Sequence, residues 1–265
     1  MTRRLLALAL SCLALAAACS SGSAARPAPI EIRPPKDPRL PDLVIVPMDE
    51  FFVGNADDQT VLRFTTSIAN TGAGPLIVTG DRPSSSSKEW SVVQWFTEAD
   101  GSRSGVTVDG NMIFGGHGHD HWHLRFGATY WLYDDAGNQL KAITKAGFCF
   151  FDQIHVQRQR ADTPAEAVFP STGCGKKSSL EASMGLSVGW SDPYSWRLSD
   201  QSVDITDLPD GIYRLVARAD PDGILRESNT QNNESWTRVR LSRQSDGLRV
   251  VEVVDTAPSA VTSPA

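Results

Sequence analysis

Four of the five histidines in this 265-residue chain stand at alternate positions, at His117, His119, His121 and His123. Such clustering indicates a metal site, because neutral imidazole binds copper, zinc, iron and nickel. Alternate residues of a strand project to the same face, so the last three histidines would point together. We predict that His119, His121 and His123 are the metal ligands, and we give His117 an auxiliary role.

The geometry of a strand requires the histidine run to bend. In a fully extended strand the Cα atoms of His119 and His123 would lie about 13 Å apart, which is far for two imidazoles that share one ion. Three glycines, Gly115, Gly116 and Gly118, give the backbone the freedom to bend there. Two alternatives stay open: histidines on an exposed loop without a metal, and metal binding without catalysis.

A strand with one apolar face is predicted to overlap the histidines and continue beyond them. Its alternate apolar side chains should pack on the core, which leaves the histidines outside the core. These apolar residues are Trp122, Leu124, Phe126, Ala128, Tyr130 and Leu132. The fifth histidine, His155, stands alone and is predicted to lie on the surface.

A hairpin is predicted after this strand. The residues Asp-Asp-Ala-Gly-Asn at 134–138 are a turn signal, and a second strand should run from Gln139 to Phe151. We expect the pairing to begin with Tyr133 opposite Gln139. Lys145 then faces Gly127 on the side of the histidines, and a shift of one residue would reverse this placement.

Short β-branched segments separated by turn residues predict an all-β fold. The clearest turn signal is Asn-Thr-Gly-Ala-Gly at 70–74, between two such segments. No long stretch has the 3.6-residue period of an amphipathic helix. We therefore predict a predominantly antiparallel β-sandwich with long functional loops. The predicted strands include 42–46, 61–69, 75–78, 213–219, 223–225 and 236–241.

The N-terminus predicts export. Two arginines precede an uncharged stretch, Leu5–Ala18, whose roughly 14 residues are fewer than the roughly 20 that span a bilayer. The segment 15–19, Leu-Ala-Ala-Ala-Cys, resembles a bacterial lipoprotein processing site. We predict cleavage before Cys19 and a lipid on its thiol, which would anchor the protein to the outer face of a membrane in a bacterial cell envelope. The alternative is cleavage near Ala24 and free secretion.

The domain organisation follows from this N-terminus and from the composition. We predict a signal peptide at 1–18, a lipid anchor and disordered Pro/Ser/Ala-rich linker at 19–40, one β-sandwich domain at 41–255, and a disordered tail at 256–265.

Cysteine usage and charge narrow the chemistry further. Once the signal peptide is removed and Cys19 is lipidated, Cys149 and Cys174 remain, and a single pair in an exported chain predicts a disulfide. The formal net charge of −6 disfavours a nucleic-acid partner and mildly suits cationic substrates such as amines.

Four segments in order resemble the catalytic domain of the lysyl oxidase family. They are GHDHWHL (118–124), KAGFCFFD (145–152), SVGWSDPY (187–194) and VDITDLPDGIYRL (203–215), and the resemblance covers most of 42–241. It implies that the histidine ligands hold copper. It also implies a lysyl tyrosylquinone cofactor, made by copper and oxygen from Lys145 and Tyr194 of the chain itself.

The resemblance implies a copper- and quinone-dependent amine oxidase. Such an enzyme converts primary amines, peptidyl lysine included, to aldehydes and releases ammonia and hydrogen peroxide, with dioxygen as the oxidant. The reaction needs a general base, and the matched segments offer Asp152, Asp192 and Asp204 without a choice among them. Lys145 as an ordinary solvated lysine and Tyr194 as a core or turn aromatic are the alternatives.

The nature of the substrate stays open at this stage. The animal members of the family carry more disulfides and act on collagen and elastin, whereas this chain has at most one bridge and a lipoprotein-like signal. The amine could therefore be small, a peptide or a protein lysine. The alternative function is a non-catalytic copper-binding or copper-buffering surface lipoprotein.

A second site is implied near both ends of the domain. The segment 227–233 resembles a family segment that binds calcium together with a Pro-Asp-Leu near the domain start. Oxygen-only ligands suit this hard cation. A polar turn between strands, or a β-sandwich adhesion module with calcium alone, are the alternatives. The implied ligands are Asp42, the carbonyl of Leu43, Glu227, Asn229, Asn232 and Asn233, where Asn229 replaces the aspartate common in the family.

Overall fold

The computed structural model describes residues 32–109, 112–115, 120–125, 128–145, 147–198 and 201–261. Its strands are β1 (Pro38–Arg39), β2 (Leu43–Ala56), β3 (Gln59–Asn70), β4 (Leu76–Asp81), β5 (Ser91–Glu98), β6 (Arg103–Thr107), β7 (Met112–Phe114), β8 (Trp122–Leu124), β9 (Ala128–Asp134), β10 (Gln139–Lys145), β11 (Ile154–His155), β12 (Glu181–Leu186), β13 (Trp190–Tyr194), β14 (Ser202–Asp204), β15 (Gly211–Ala219), β16 (Glu234–Arg243) and β17 (Arg249–Thr256). A 3₁₀ turn covers Ser171–Cys174. Within these ranges, no helix has the length and apolar character to cross a membrane.

The strands form three five-stranded sheets and one hairpin. Sheet I has the order β1-β5-β4-β12, with β6 paired to β5; sheet II has the order β10-β9-β15-β16-β17. Sheet III has the order β11-β13-β3-β14, with β2 paired to β3, and β7 pairs with β8. Every strand pairing among the described residues is antiparallel. The predicted all-β, antiparallel sandwich architecture is confirmed.

One hydrophobic core holds the three sheets together. Leu76 of sheet I, Leu132 of sheet II and Leu62 of sheet III belong to the same buried cluster. Phe64 of β3 meets Tyr130 of β9 edge-on, with ring centroids 5.0 Å apart, and so joins sheets II and III. Each such fully buried side chain contributes about 1.5–3 kcal/mol relative to an exposed one. The shared core therefore fixes the relative placement of the strands that carry the candidate site residues.

The predicted turn at 70–74 packs against the chain segment that leads into β2. The amide group of Asn70 donates to the carbonyl oxygens of Gly74 and Leu186, and its side-chain oxygen accepts from the Asp42 amide. A side chain at Gly74 would collide with the carbonyl of Arg39, so this close approach requires glycine. The turn thus holds the backbone at Asp42, a predicted calcium ligand, in a defined position.

Most predicted strands lie within observed ones. The segments at 42–46, 61–69, 75–78, 213–219 and 236–241 fall mainly in β2, β3, β4, β15 and β16. The predicted strand at 223–225 is wrong, because this segment is a turn that closes on Asp220. The Asp220 carboxylate accepts hydrogen bonds from the amides of Ile224 and Leu225. These amides are therefore bound to a side chain and not to a neighbouring strand.

The predicted hairpin is present, but its register differs at the far end. Asn138 donates to Asp134 across the turn, and Gln139 pairs with Tyr133 as expected. A bulge after Gln139 then shifts the pairing, so that Lys145 faces Ala128 and not Gly127. Because Ala128 lies in the core, Lys145 lies on the core face, and the expected placement on the histidine side is wrong.

Residues at both edges of the predicted domain pack on the sheets. The amide of Asp37 donates to the Glu98 carboxylate at 2.6 Å, and β1 pairs with β5. Near the other end, Val261 is buried against Val44 and Ala69. The sequence boundaries at 41 and 255 therefore leave out residues that contact the sheets. The predicted signal peptide, Cys19 and most of the predicted linker lie outside the described residues.

Candidate metal and cofactor site

Two of the predicted metal ligands face each other beside the β7–β8 hairpin. His121 precedes β8 and His123 lies within it, and their Nε2 atoms are 2.9 Å apart. Two nitrogens that each lie about 2.0–2.1 Å from one ion and 2.9 Å from each other subtend an angle of about 90° at the ion. Tetragonal copper prefers this angle between neighbouring ligands, so the pair fits copper. His117 and His119 lie outside the described residues.

A third ligand is not visible in the part of the chain that the structure describes. No group of three or more His, Cys, Asp or Glu side chains comes together there in a way that could hold a metal ion. Within the described residues, His121 and His123 stay a pair of predicted ligands, and His119 is a third predicted ligand outside them.

Trp122, between the two histidines, is fixed by contacts on several sides. Its indole N–H donates to the carbonyl of Lys176 at 2.9 Å, and its ring meets Phe114 edge-on at 5.3 Å. The guanidinium of Arg82 lies 4.5 Å from the Trp122 ring and 5.0 Å from the ring of Trp90. Such cation–π contacts restrain a buried ring. We infer that this packing determines the orientation of the histidines on either side.

Arg82 is itself held by the surrounding backbone. Its guanidinium donates to three carbonyl oxygens, those of Ser87, Lys177 and Ser179. The residue is buried, so these hydrogen bonds compensate for the loss of water around its charge. Arg82 therefore links the loop after β4, the loop before β12 and Trp122.

A short backbone bridge connects the β7–β8 hairpin, which carries His123, to the segment after Lys145. Leu124 and Phe148 exchange two backbone hydrogen bonds, at 2.9 and 3.1 Å. Next to this bridge, Gly147 passes so close to His123 that a Cβ at residue 147 would lie 2.9 Å from the histidine Cβ. The chain requires glycine here because any side chain would displace His123.

Lys145 and Tyr194 meet in the interior. Lys145 ends β10 and is 2% exposed, and Tyr194 ends β13 and is 7% exposed. The Lys145 Nζ atom lies 5.3 Å from the centroid of the Tyr194 ring and 5.5 Å from that of Phe148. Phe148 also meets Tyr194 edge-on at 4.6 Å. The two residues predicted to form the cofactor are therefore neighbours in the fold, although 49 positions separate them in the chain.

Asp192 is the carboxylate next to Tyr194. The Tyr194 hydroxyl donates to Asp192 Oδ2 at 2.5 Å and lies 3.3 Å from the carbonyl oxygen of Cys149. The amide of Gln153 donates to the other carboxylate oxygen. Burial raises the pKa of Asp192 to about 7. Burial and the neighbouring carboxylate raise the pKa of Tyr194 well above its ordinary value.

The other two aspartates proposed as bases have different partners. Asp152 accepts hydrogen bonds from the amide and hydroxyl of Ser187 and from the amides of two residues at 168 and 169. Asp204 accepts from Thr206 and lies 3.3 Å from the ammonium of Lys141 near the surface. Of the three, Asp192 is the one in contact with the predicted cofactor residue.

The predicted disulfide between Cys149 and Cys174 is confirmed, with Cα atoms 6.0 Å apart. Cys149 follows Lys145 by four residues, and Cys174 ends the 3₁₀ turn just before the loop that binds Trp122. The bridge therefore joins the segment that follows Lys145 to the loop that binds Trp122 of the β7–β8 hairpin.

The structure brings together most of the residues predicted to bind calcium. Asn232 donates to both carboxylate oxygens of Asp42, at 3.0 and 3.2 Å. Glu227 accepts from the amide of Leu43 at 2.8 Å and from the side chain of Asn233 at 2.6 Å. The sixth predicted ligand, Asn229, is exposed, and its side-chain oxygen accepts from the Gln231 amide.

The chemistry of this cluster fits a cation. Within the described residues, the side-chain oxygens of Asn232 and Asn233 are buried and have no hydrogen-bond partner. Burial, together with the negative charges of Asp220 and Asp42, raises the pKa of Glu227 to about 7. A hard cation would provide both the missing partner for the amide oxygens and the missing positive charge.

Comparison with known proteins assigns the chain to a family. The sequence model described as lysyl oxidase matches residues 114–249, just over half of the chain. The chain belongs to the lysyl oxidase family. No curated protein matches the chain. The lysyl oxidase match includes His121, His123, Lys145, Asp192 and Tyr194, and it begins after the predicted calcium ligands Asp42 and Leu43.

Several residues at the site of this lysyl oxidase family member were not found from the sequence. Arg82 and Trp90 lie far upstream of the histidines and carry no local signal for a role there. Gly147 lies within the Lys-Ala-Gly-Phe-Cys segment, and its position between two site residues could have indicated a close backbone approach. The surface placement of His155 is wrong, because the ring is buried and stacks on Trp190 at 4.7 Å.

Proposed function

We propose that this lysyl oxidase family member is a copper-dependent amine oxidase. It would convert primary amines to aldehydes and release ammonia and hydrogen peroxide. The observation that carries the proposal is the buried contact between the Lys145 Nζ atom and the Tyr194 ring, at 5.3 Å. The chelating geometry of His121 and His123 and the membership of the family support it.

His119, His121 and His123 would hold the copper ion, which together with dioxygen supplies the oxidising chemistry. Cofactor formation would join the Lys145 nitrogen to a ring carbon of Tyr194 and add one oxygen atom to the ring. Two molecules of dioxygen would be the oxidant and would give the added ring oxygen, one water and one hydrogen peroxide. The quinone would supply an electron sink for the substrate amine.

The chain's own residues position and protect this chemistry. Asp192 accepts the hydroxyl hydrogen bond of Tyr194 and so fixes the ring. With a pKa of about 7, its carboxylate can take up and return a proton near neutral pH, as a general base must. Burial of Lys145 and Tyr194 keeps bulk water away from the reacting atoms.

Replacement of the Asp192 carboxylate should slow turnover and change its pH dependence. A base acts in its ionised form, so a pKa of about 7 predicts that wild-type activity rises as the pH increases through about 7. Hydrogen bonds from Tyr194, Gln153 and the backbone of Phe151 lower the pKa of this carboxylate, and the charge of Asp152 raises it. We expect Asp192→Asn to lower kcat/KM for an amine by about 10² to 10⁴-fold and to remove this rise.

Peroxide release measured against pH, normalised to quinone content, tests this role of Asp192. The matched control is Asp204→Asn. Asp204 binds Thr206 and not Tyr194, so this variant should retain the wild-type rate. A wild-type rate and pH profile in Asp192→Asn would assign the base to another residue.

The proposed function itself is tested on the purified protein. The copper-free chain is loaded with copper in air, supplied with a primary amine, and assayed for peroxide. A proteolytic digest is then searched by mass for a peptide in which Lys145 is joined to Tyr194. We expect peroxide release and the cross-linked peptide. Copper binding without the cross-linked peptide and without peroxide would instead favour a non-catalytic copper-binding or copper-buffering protein.

Calcium is proposed as a structural ion at the cluster of Asp42, Glu227, Asn232 and Asn233, with Leu43 and Asn229 as further ligands. At a hundredfold excess over its Kd, an ion bound to the folded state adds about 2.7 kcal/mol of stability. For a domain of this size that corresponds to a rise in Tm of about 5–10 °C. Thermal unfolding with added calcium and with a chelator measures the difference.

A variant and its control separate this calcium effect from general stabilisation. Glu227→Gln removes a buried carboxylate of the cluster and should abolish most of the calcium-dependent rise in Tm. Glu234→Gln changes an exposed carboxylate close by and should leave the rise intact. Equal Tm values in calcium and chelator for the wild type would show that the cluster is a polar turn without an ion.

The proposed location is the outer face of a bacterial membrane, with a lipid on Cys19. The support is the sequence of the N-terminus, where a short apolar stretch ends in Leu-Ala-Ala-Ala-Cys. The partners would then be a primary amine, dioxygen and the membrane. The mass of the mature N-terminal peptide tests this location, since an unmodified Cys19 would contradict the lipid anchor.

A further inference from the structure

A buried glutamine near Tyr194 has no hydrogen-bond partner for its side chain. Gln201 is fully buried, and its backbone carbonyl accepts from the amide of Phe64 at 3.3 Å. In the described part of the chain, neither the nitrogen nor the oxygen of its side-chain amide has a partner. The buried hydroxyl of Thr66 also has none there. Native proteins rarely leave such groups unpaired, so a missing partner is indicated.

The backbone contacts of β3 place these groups near the predicted cofactor residue. Tyr194 pairs with Thr66 of β3, and the carbonyl of Gln201, just before β14, accepts from the amide of Phe64, two residues earlier on β3. Residues two apart on a strand share a face and lie about 6.6–6.8 Å apart. Val203 and Tyr194 belong to the same core cluster as Phe64, so this shared face points inward. The backbone of Gln201 therefore lies against this inward face, two positions along β3 from the residue that pairs with Tyr194.

The partner of the Gln201 amide has a definite chemistry. It must be small, because the site is closed, and it must accept a hydrogen bond from the amide nitrogen. The hydroxyl of Tyr194 donates to Asp192, and the amide of Gln201 makes no hydrogen bond to the phenol oxygen. Oxidation of the ring, with dioxygen as the oxidant and the source of the added atom, would place a second oxygen on it. That added oxygen is a hydrogen-bond acceptor that the unmodified chain lacks.

We propose that Gln201 is a positioning residue for the quinone derived from Tyr194, with its amide N–H donating to the ring oxygen that oxidation adds. The proposal rests on the proposed function, because it requires the quinone to form. In the unprocessed chain the buried amide nitrogen of Gln201 has no partner, and cofactor formation would supply one for this nitrogen. A donor at a quinone oxygen also favours the reduced, more electron-rich ring, and it alters the absorption of the oxidised one.

The experiment compares Gln201→Met with the wild type after copper loading in air. Methionine keeps the length and volume of the side chain and removes the donor. We expect the cross-linked peptide still to form, the absorption maximum of the quinone to move, and kcat to fall about tenfold with KM unchanged, as for the loss of one hydrogen bond. The rise in Tm that accompanies cofactor formation in the wild type should also shrink.

Two further variants guard against a merely structural effect. Gln94→Met changes another buried glutamine, whose amide is paired with the backbone of Arg226, and should leave the absorption maximum unchanged. If Gln201→Met does not fold, Gln201→Leu replaces it, since leucine is apolar and has no donor, and the same shift is expected.

The outcomes distinguish this role of Gln201 from the function itself. A cross-linked peptide in both proteins, with the same absorption maximum and the same rise in Tm, would overturn the role of Gln201 alone and would indicate that the site holds only water. Absence of the cross-linked peptide from the wild type would overturn the proposed function and, with it, the positioning role.

Discussion

Lys145→Arg is expected to yield a folded protein that still binds copper, yet forms no quinone and releases no peroxide. Arginine keeps the positive charge that lies over the rings of Phe148 and Tyr194, so the packing should survive. Its guanidinium stays protonated and cannot act as the nucleophile that joins the ring. Because the proposed cofactor takes its nitrogen from this side chain, the loss of quinone should be complete.

Visible absorption and the mass of the peptide in which Lys145 is joined to Tyr194 test this prediction. Lys141→Arg is the matched control on the same strand, because Lys141 pairs with Asp204 near the surface and should be replaceable without loss. Tyr194→Phe changes the other residue of the cross-link and should also abolish the quinone. Tyr133→Phe should leave the quinone unchanged. Normal peroxide release from Lys145→Arg would exclude Lys145 as the source of the cofactor nitrogen.

The strands were predictable where β-branched segments are bounded by clear turn residues. In β3, which covers the predicted strand at 61–69, Leu62, Phe64 and Ile68 are fully buried. The disulfide between Cys149 and Cys174 followed from the small number of cysteines. The hairpin followed from Asp134 and Asn138, whose hydrogen bonds close the turn. These features depend on residues close in sequence or on simple counting.

Features that depend on register or on distant contacts were not predictable. The bulge after Gln139 moves Lys145 from the expected histidine side to the core face, and no residue type marks it. Asp192 could not be chosen over Asp152 and Asp204, because the choice depends on which carboxylate Tyr194 reaches. Arg82 contacts Trp122 only because the loop after β4 packs on the β7–β8 hairpin. Such contacts are tertiary, and local patterns do not encode them.

The five residues from Lys145 to Cys149 connect the parts of the site. Lys145 contacts the Tyr194 ring, Gly147 allows the backbone to approach His123, and Phe148 bridges to Leu124 of the β7–β8 hairpin while contacting both Lys145 and Tyr194. Cys149 adds the disulfide and a carbonyl oxygen 3.3 Å from the Tyr194 hydroxyl. These contacts explain why the segment Lys-Ala-Gly-Phe-Cys is informative although each of its residues alone is not.

His121→Ala and His123→Ala are each expected to weaken copper binding by more than about 100-fold, since loss of a residue that only supports a ligand already costs about 10 to 100-fold. The Nε2 atoms of His121 and His123 lie 2.9 Å apart. Removal of either imidazole leaves one of these two nitrogens, so the remaining histidine would bind copper without its neighbour. Without copper the oxidation of Tyr194 should not begin. The expected result is therefore loss of both metal and cross-link.

Copper content after dialysis, together with the mass of the 145–194 cross-linked peptide, measures this loss. His155→Gln is the matched control: it removes a buried histidine outside the run, and glutamine can keep a hydrogen bond to Thr163. The control should bind copper and form the cross-link as the wild type does. Unchanged copper affinity in both alanine variants would show that the histidine run does not hold the copper. The proposed oxidation requires copper close to Lys145 and Tyr194, so this result would favour a calcium-only adhesion module.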